Sequence, residues 1–324
     1  MRMTTRKSLE VQDFNIRAAE PTRRFYGEAL VAAARRDPRI VCMSADLTLS
    51  TETDLFRDTF PDRFVQAGIA EANMIGVAAG MARSGDIPFV HSFCVFATRR
   101  CYDQIAMQAA YPRLPVKIVG VIPGLTTMLG VSHQAIDDIA LMRALPNMTV
   151  IEPSSPEQVG AAVEAALGIH GPVYLRLKRA DGTERAGTSQ PLEAGRMRML
   201  REGGNALIVA CGLMVAVAME AAERLSLEGL SVGVAEMATI KPIDLGLIEA
   251  ARRVPIVVTA ENHSIVGGLG SAVAELLLEA GVHPRFARIG VRDMFAEGGS
   301  TPYLLDRYGL SSGEIANVIR RLHR

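Results

Sequence analysis

The chain has 324 residues, of which 49% are hydrophobic and 5% are aromatic. That length is too great for one small core and suits two α/β domains. Lysine plus arginine and aspartate plus glutamate both number 35, so no net charge would attract nucleic acid or an anionic membrane surface.

The first segment, 1–20, is basic and has no apolar stretch typical of a secretory signal. It is therefore predicted to be an N-terminal extension of a cytoplasmic protein. The four cysteines have no C-x-x-C spacing, which favours buried free thiols over a disulfide framework or a zinc site. The longest apolar run, 206–219, is too short to cross a membrane. This run is predicted to form a buried strand that leads into a helix.

Apolar runs alternate with helical patterns along 21–180, which predicts a parallel sheet covered by helices on both faces. A region at 181–200 loses this periodicity and is predicted to be a linker, followed by a second α/β series at 201–324. The predicted strands of the first series are 39–45, 63–67, 87–93, 116–122, 148–153 and 172–177. The predicted helices are 22–36, 71–83, 97–110, 134–144 and 156–168. The fold class is α/β with two domains, each a mostly parallel sheet covered by helices.

One carboxylate, Glu71, opens an apolar helix in "RFVQAGIAEANMIGVAAGMARSG" (63–85). By itself this acid could be stabilised by the helix dipole, or it could handle a proton in an apolar wall. Three other segments stand with it: "SADLTLS" (44–50), "HSFCVFATRRCYDQ" (91–104) and "GVSHQAIDDIALMRALPNM" (130–148). In combination they resemble the transketolase superfamily of thiamine-diphosphate enzymes, as a pyrimidine-binding domain followed by the C-terminal domain.

The resemblance implies thiamine diphosphate as the cofactor, whose aminopyrimidine is activated by a carboxyl group at its ring nitrogen N1′. Glu71 matches that acid. Phe96 matches the ring that stacks on the aminopyrimidine, with Phe93 beside it, although two aromatics at this spacing could equally belong to a core. Transketolases often carry Tyr three residues beyond the stacking Phe. This chain has Arg99 there, and Tyr102 is expected to serve instead.

Further site residues are implied by the same resemblance. Asp46 would face the positively charged thiazolium ring, although a turn residue would also explain it. His133 would contact substrate oxygens near the reacting carbon, where an imidazole can exchange a proton. Arg23, Ser50 and Arg176 match positions that hold the sugar phosphate, and a guanidinium or a hydroxyl is a suitable phosphate donor.

The sequence departs from the family pattern before His133. The usual G-E-D-G is replaced by "TTMLGVSHQ", with Met128 and Leu129 at the acidic positions, and "GVIPG" (120–124) lacks an upstream histidine. An apolar side chain cannot recognise a hydroxyl by hydrogen bonding. We therefore expect a branched, deoxy or otherwise altered donor.

The family's diphosphate domain, with its G-D-G and later Asn, is missing from this chain. "GDIP" (85–88) and "ADGT" (180–183) follow no suitable strand, so no metal ligand is predicted here. The resemblance implies that an N-terminal-half partner subunit holds Mg²⁺ and the diphosphate. The assembly would be a two-plus-two heterotetramer with the cofactor between unlike subunits.

The resulting functional hypothesis is a subunit of a split transketolase that transfers a two-carbon ketol unit between sugar phosphates. Two alternatives remain open from the sequence. One is the β subunit of the E1 component of a 2-oxo acid dehydrogenase, and the other is a non-catalytic transketolase-like scaffold. The glycines of "GGLG" (267–270) are expected to serve a tight turn and close packing and not a nucleotide loop.

Overall fold

A computed structural model describes residues 24–178 and 192–324 of the chain. The strands are β1 (Ile40–Ser44), β2 (Phe64–Gln66), β3 (Ile87–Phe93), β4 (Lys117–Val121), β5 (Thr149–Ile151), β6 (Val173–Leu177), β7 (Arg198–Arg201), β8 (Ala206–Ala210), β9 (Val232–Glu236), β10 (Thr239–Lys241), β11 (Ile256–Ser264) and β12 (Arg285–Val291). The helices are α1 (Phe25–Arg36), α2 (Asp54–Thr59), α3 (Glu71–Arg83), α4 (Cys94–Arg99), α5 (Tyr102–Gln104), α6 (Asp138–Ala144), α7 (Pro156–Gly168), α8 (Met214–Ser226), α9 (Gly246–Arg252), α10 (Leu269–Glu279), α11 (Thr301–Arg307) and α12 (Ser312–His323). A 3₁₀ turn spans Pro61–Arg63, and a π-helical segment spans Ile105–Ala110.

Two sheets organise these elements. The first has the order β10-β5-β6-β4-β3-β1-β2 and is parallel except for β10, which runs antiparallel to β5. The second has the order β12-β11-β8-β9-β7 and is parallel except for β7. The central strands are buried along their whole length, as expected for apolar strands with helices on both faces. This architecture confirms the predicted α/β fold of two mostly parallel sheets.

The structure differs from the sequence predictions mainly at element boundaries. Each of the six predicted strands is present within about two residues. The predicted helix 97–110 is instead divided into α4, α5 and the π-helical segment, with a turn at Arg100. The predicted helix 134–144 begins only at α6, because Ala135 pairs with Gly124 in an isolated bridge. Strand β7 begins within the predicted linker 181–200, and α2, β10 and α11 were not predicted.

The topology gathers the polar motifs at one edge of the first sheet. Since its parallel strands share a direction, the segments that follow their carboxyl ends meet at that edge. The segments after β1, β2, β3 and β4 carry Asp46, Glu71, Phe96 and His133 respectively. The sheet thereby places the predicted site residues close together.

Within the described ranges, none of the helices combines the length and the apolar character that crossing a membrane requires.

Candidate active site

Glu71 is the first residue of α3 and is only 4% exposed. The chain enters the helix through Gly68, whose φ of +68° is accessible to glycine without strain. The N-cap residue, Ala70, makes no side-chain cap. Because Glu71 is in the first turn, its carboxylate lies where the helix dipole favours negative charge. Its Oε1 accepts a hydrogen bond of 2.9 Å from Nη1 of Arg100.

Three of the predicted residues form one aromatic cluster. Phe93 ends β3 and Phe96 lies in the first turn of α4, and their ring centroids are 5.9 Å apart. The imidazole of His133 meets Phe96 edge-on at 5.2 Å and lies 6.0 Å from Phe93. The Nδ1 of His133 lies 2.9 Å from the hydroxyl of Ser132. The structure therefore brings a predicted cofactor-stacking ring and a predicted proton-transfer group into contact.

Arg100 connects this aromatic cluster to the buried acid, a role that sequence reasoning missed. Its guanidinium carbon lies 3.8 Å from the centroid of the Phe96 ring while Nη1 binds Glu71. The four-residue separation from Phe96 is a helical contact spacing and could have indicated the pair. We call Glu71, Phe93, Phe96, Arg100 and His133 the Glu71–Phe96 site.

Asp46 lies outside direct contact with this site but at the same sheet edge. It is exposed, with a φ of +59°, a backbone conformation that Asp tolerates better than most residues. Its N–H donates to Oε1 of Gln66 at 2.9 Å, and the N–H of Gly68 donates to the same oxygen at 3.3 Å. Gln66, another residue that the sequence analysis missed, thus ties the Asp46 turn to the segment entering Glu71.

Two other predicted residues, Ser50 and Tyr102, lie outside the Glu71–Phe96 site. Ser50 is half-buried in the turn after β1, and Tyr102 is half-buried at the start of α5. Their roles toward substrate and cofactor stay predictions. Arg23 lies outside the described residues.

Arg176 is not placed as a phosphate ligand, which corrects the sequence prediction. It is 0% exposed, one residue before the carboxyl end of β6, and its guanidinium is held by the protein itself. Its Nε and Nη2 donate to Asp138 at 2.7 and 3.2 Å, and Nη1 donates to Glu152 at 2.6 Å. Nη2 also donates to the carbonyls of Ala135 and Asn262. A phosphate could reach this group only by opening the interior.

Arg176 instead belongs to what we call the interdomain ion cluster: Asp138, Glu152, Arg176, Glu261 and His263. Each of these side chains is essentially buried, and His263 lies 3.9 Å from Asp138 and 3.7 Å from Glu261. Burial raises the pKa of Asp138, but the contacts with Arg176, together with His263 and Tyr174, outweigh burial and hold that pKa below its usual value. Burial raises the pKa of Glu261 to about 7 and lowers the pKa of His263.

The glycines before α10 serve the close packing that was expected of them. A Cβ on Gly268 would lie 1.9 Å from Oε2 of Glu261. The N–H groups of Leu269 and Gly270 donate to the Glu261 carboxylate at 2.6 and 2.9 Å. The chain's own acid therefore occupies the helix N-terminus at which a nucleotide phosphate would bind.

Comparison with known proteins assigns the chain to a family. The sequence family "Transketolase, pyrimidine binding domain" matches residues 19–184, and "Transketolase, C-terminal domain" matches residues 195–315. The chain belongs to the transketolase family. It corresponds to the C-terminal-half subunit of that family.

Individual relatives agree with this assignment. The putative uncharacterized transketolase family protein y4mN of Sinorhizobium fredii is 45% identical over 310 residues, which cover 94% of this chain and 89% of that protein. The 6-deoxy-6-sulfo-D-fructose transketolase subunit SqwH of Clostridium sp. is 43% identical over 310 residues, with 95% and 96% covered. A solved structure described as "Split gene transketolase, inactive beta4 tetramer" has a TM-score of 0.84 at 45% identity, with 92% of this chain and 96% of that chain covered.

The loop before His133 is the one in which the sequence analysis noted Met128 and Leu129 in place of acids. Met128 is 74% exposed and Leu129 is 62% exposed. The loop is closed by the N–H of Gly124, which donates to Ala135 at 3.0 Å. The second domain supports it through Gln134, whose Nε2 donates to the carbonyl of Glu297 at 2.9 Å. Two apolar side chains thus stand at the surface at the positions where the sequence analysis expected acids.

The residues of the Glu71–Phe96 site fit the aminopyrimidine of thiamine diphosphate, on which the family depends. A buried carboxylate can bind a ring nitrogen, and an aromatic face beside it can stack on the same ring. In this chain a planar cation, the Arg100 guanidinium, already makes both kinds of contact. Across 24–178 and 192–324, no group of three or more His, Cys, Asp or Glu side chains could hold a metal ion.

Proposed function

We propose that this chain binds the aminopyrimidine of thiamine diphosphate and is one subunit of a split transketolase. The enzyme would transfer a two-carbon ketol unit between sugar substrates. The observation that carries the proposal is the buried Glu71 carboxylate beside the half-buried Phe96 ring, with a planar cationic group bound to both.

Four residues of the Glu71–Phe96 site, together with the nearby Asp46, have defined tasks in this proposal. Bound thiamine diphosphate supplies a nucleophilic carbon for the transferred unit. Glu71 would hold a proton at the ring nitrogen N1′, and Phe96 would orient the aminopyrimidine by stacking. His133, at the edge of the Phe96 ring, would exchange a proton with a substrate oxygen. Asp46 would face the thiazolium from the adjoining turn, and Phe93 would shield the site from water.

A partner chain completes the proposed enzyme. The words "subunit" and "split gene" in the descriptions of two similar proteins support an N-terminal-half partner. That partner would bind Mg²⁺ and the diphosphate, because diphosphate needs a hard cation with oxygen ligands. We propose a heterotetramer with two copies of each chain.

The test is co-expression with the product of a neighbouring gene, followed by assays of bound cofactor and ketol transfer. Glu71→Gln removes the ionisable group and is expected to lower turnover by roughly 10²–10⁴-fold. Glu157→Gln is the matched control, because Glu157 is an exposed acid in the first turn of α7. Full activity in the Glu71→Gln complex, with cofactor still bound, would exclude the proposed role.

We also propose an atypical donor sugar. Met128 and Leu129 present apolar surface at positions where a hydroxyl would need a hydrogen-bonding partner. The name of one relative, a 6-deoxy-6-sulfo-D-fructose transketolase subunit, supports a donor modified at one carbon. A donor screen should include xylulose 5-phosphate and deoxy or sulfonated ketoses. Ordinary kinetics with xylulose 5-phosphate would contradict this part of the proposal.

A further inference from the structure

Arg100 makes the two contacts that a stacked aminopyrimidine would need. Its Nη1 donates to Oε1 of Glu71 at 2.9 Å, and its guanidinium carbon lies 3.8 Å from the Phe96 centroid. Phe93 and His133 meet Phe96 in tilted and edge-on geometries instead. The stacked position over the Phe96 ring is therefore the one that Arg100 takes.

We propose that Arg100 is a placeholder for the aminopyrimidine of thiamine diphosphate, and that cofactor loading requires Arg100 to leave Glu71 and Phe96. This rests on the proposed function. A guanidinium resembles an aminopyrimidine in being planar, in stacking on aromatic faces and in donating N–H groups to a carboxylate. One carboxylate oxygen and one ring face cannot serve both partners at once.

The position of Arg100 allows such an exchange. It lies in the turn between α4 and α5, and its side chain is 46% exposed, whereas the Glu71 side chain is 4% exposed. A ligand that replaces Arg100 at Glu71 would approach from this exposed side. Because Arg100 is on a turn and half in solvent, its side chain can swing out without moving a helix or strand.

The contact also protects the subunit before it is loaded. A buried carboxylate without a partner is costly, and Arg100 supplies that partner until a cofactor arrives. The exchange lowers the apparent affinity for the cofactor, because only the fraction of molecules with Arg100 displaced can bind. A half-exposed ion pair together with a cation–π contact makes that penalty about 3- to 30-fold in affinity.

The test measures thiamine diphosphate affinity by calorimetry in the complex with the partner half chain. Arg100→Ala is expected to bind the cofactor about 3- to 30-fold more tightly than the wild type, and Arg100→Lys should lie between the two. Arg99→Ala is the matched control and should not change affinity, because the Arg99 Nε binds Asp137 at 2.8 Å. A second readout is the NMR signal of the Arg100 guanidinium, which should shift when the cofactor is added.

The outcomes separate this inference from the proposed function. Equal or weaker binding by Arg100→Ala overturns the placeholder role. If Arg100→Ala fails to assemble, Arg100→Lys must still bind the cofactor at least about twofold more tightly, and unchanged affinity overturns the role. Loss of binding in Glu71→Ala, with binding by the wild type intact, supports the proposed function whichever way Arg100 behaves. An assembled wild-type complex that binds no cofactor overturns both proposals.

Discussion

Two groups of charged residues lie within the same chain and are built in opposite ways. In the interdomain ion cluster, Arg176 is fully buried and bound by Asp138 and Glu152. In the Glu71–Phe96 site, Arg100 is half-exposed and bound to one acid and one aromatic face. The first arrangement encloses the arginine, and the second leaves it free to exchange its partners. Burial and the number of partners therefore separate an arginine that holds the domains together from one that can yield to a ligand.

Removing the enclosed arginine should have the largest effect. Arg176→Met leaves two acids buried without their cation, so the free energy of unfolding is expected to fall by about 3–5 kcal/mol. Urea denaturation of the purified chain measures this change. Adding Asp138→Asn and Glu152→Gln removes the unpaired charges and should restore part of the stability.

The control for this prediction is Arg36→Ala, which removes an exposed ion pair with Glu164 and should leave stability nearly unchanged. Unchanged stability of Arg176→Met, together with weaker binding of a phosphorylated substrate, would restore the phosphate-ligand interpretation. It would also remove the contrast between the two arginines.

Glu261→Gln should change how stability depends on pH. The folded pKa of Glu261 is raised to about 7, above its value in the unfolded chain, so the folded state keeps a proton that the unfolded state releases. The contribution of this group to stability therefore falls as pH rises from about 4.5 to about 7 and is constant above that range. Gln does not titrate. The free energy of unfolding of the wild type, minus that of the variant, should decrease by about 2–3 kcal/mol over this window.

Denaturation at several pH values between 5 and 8 measures this difference. Glu279→Gln, an exposed acid at the end of the same helix α10, should give a difference that stays flat. A flat difference for Glu261→Gln as well would mean that its carboxylate is ionised throughout, held by the amides of Leu269 and Gly270.

Phe96→Leu should have the smallest effect, and it should change cofactor affinity without changing stability. Leu keeps apolar bulk but loses the aromatic face, so thiamine diphosphate is expected to bind about 3- to 10-fold more weakly in the assembled complex. Stability should change little, because Phe96 is only partly buried. The measurement is a calorimetric titration alongside thermal unfolding. A large loss of stability with unchanged affinity would assign Phe96 to the core.

The fold was largely predictable from the sequence because buried parallel strands leave continuous apolar runs, and all six such runs in the first series are strands. The failures occurred where tertiary contacts decide the local structure. Strand β10 has only three residues and forms by pairing with β5 from the other domain. The interruption between α4 and α5 carries Arg100 into its contact with Glu71, and a helical periodicity gives no sign of such a break.

The motifs of the site could be predicted from the sequence, but the contacts that each charged side chain makes could not. Glu71, Phe93, Phe96 and His133 were named from the sequence, and the structure gathers them. Arg176 was misassigned because an arginine in a motif looks the same whether it faces a ligand or a buried acid. Its place within the otherwise apolar strand "VYLRL" was the available signal, since a charge in a buried strand must be paired inside the protein.

The pairing of β10 with β5 has a consequence for any attempt to divide this polypeptide. A fragment ending at 178 would lack β10, and the outer row of N–H and C=O groups of β5 would be uncovered. An open sheet edge of this kind is a template for adding strands from other chains. The isolated first half would therefore tend to aggregate through that edge, and the second half, which supplies three residues to the neighbouring sheet, acts as its protective cover.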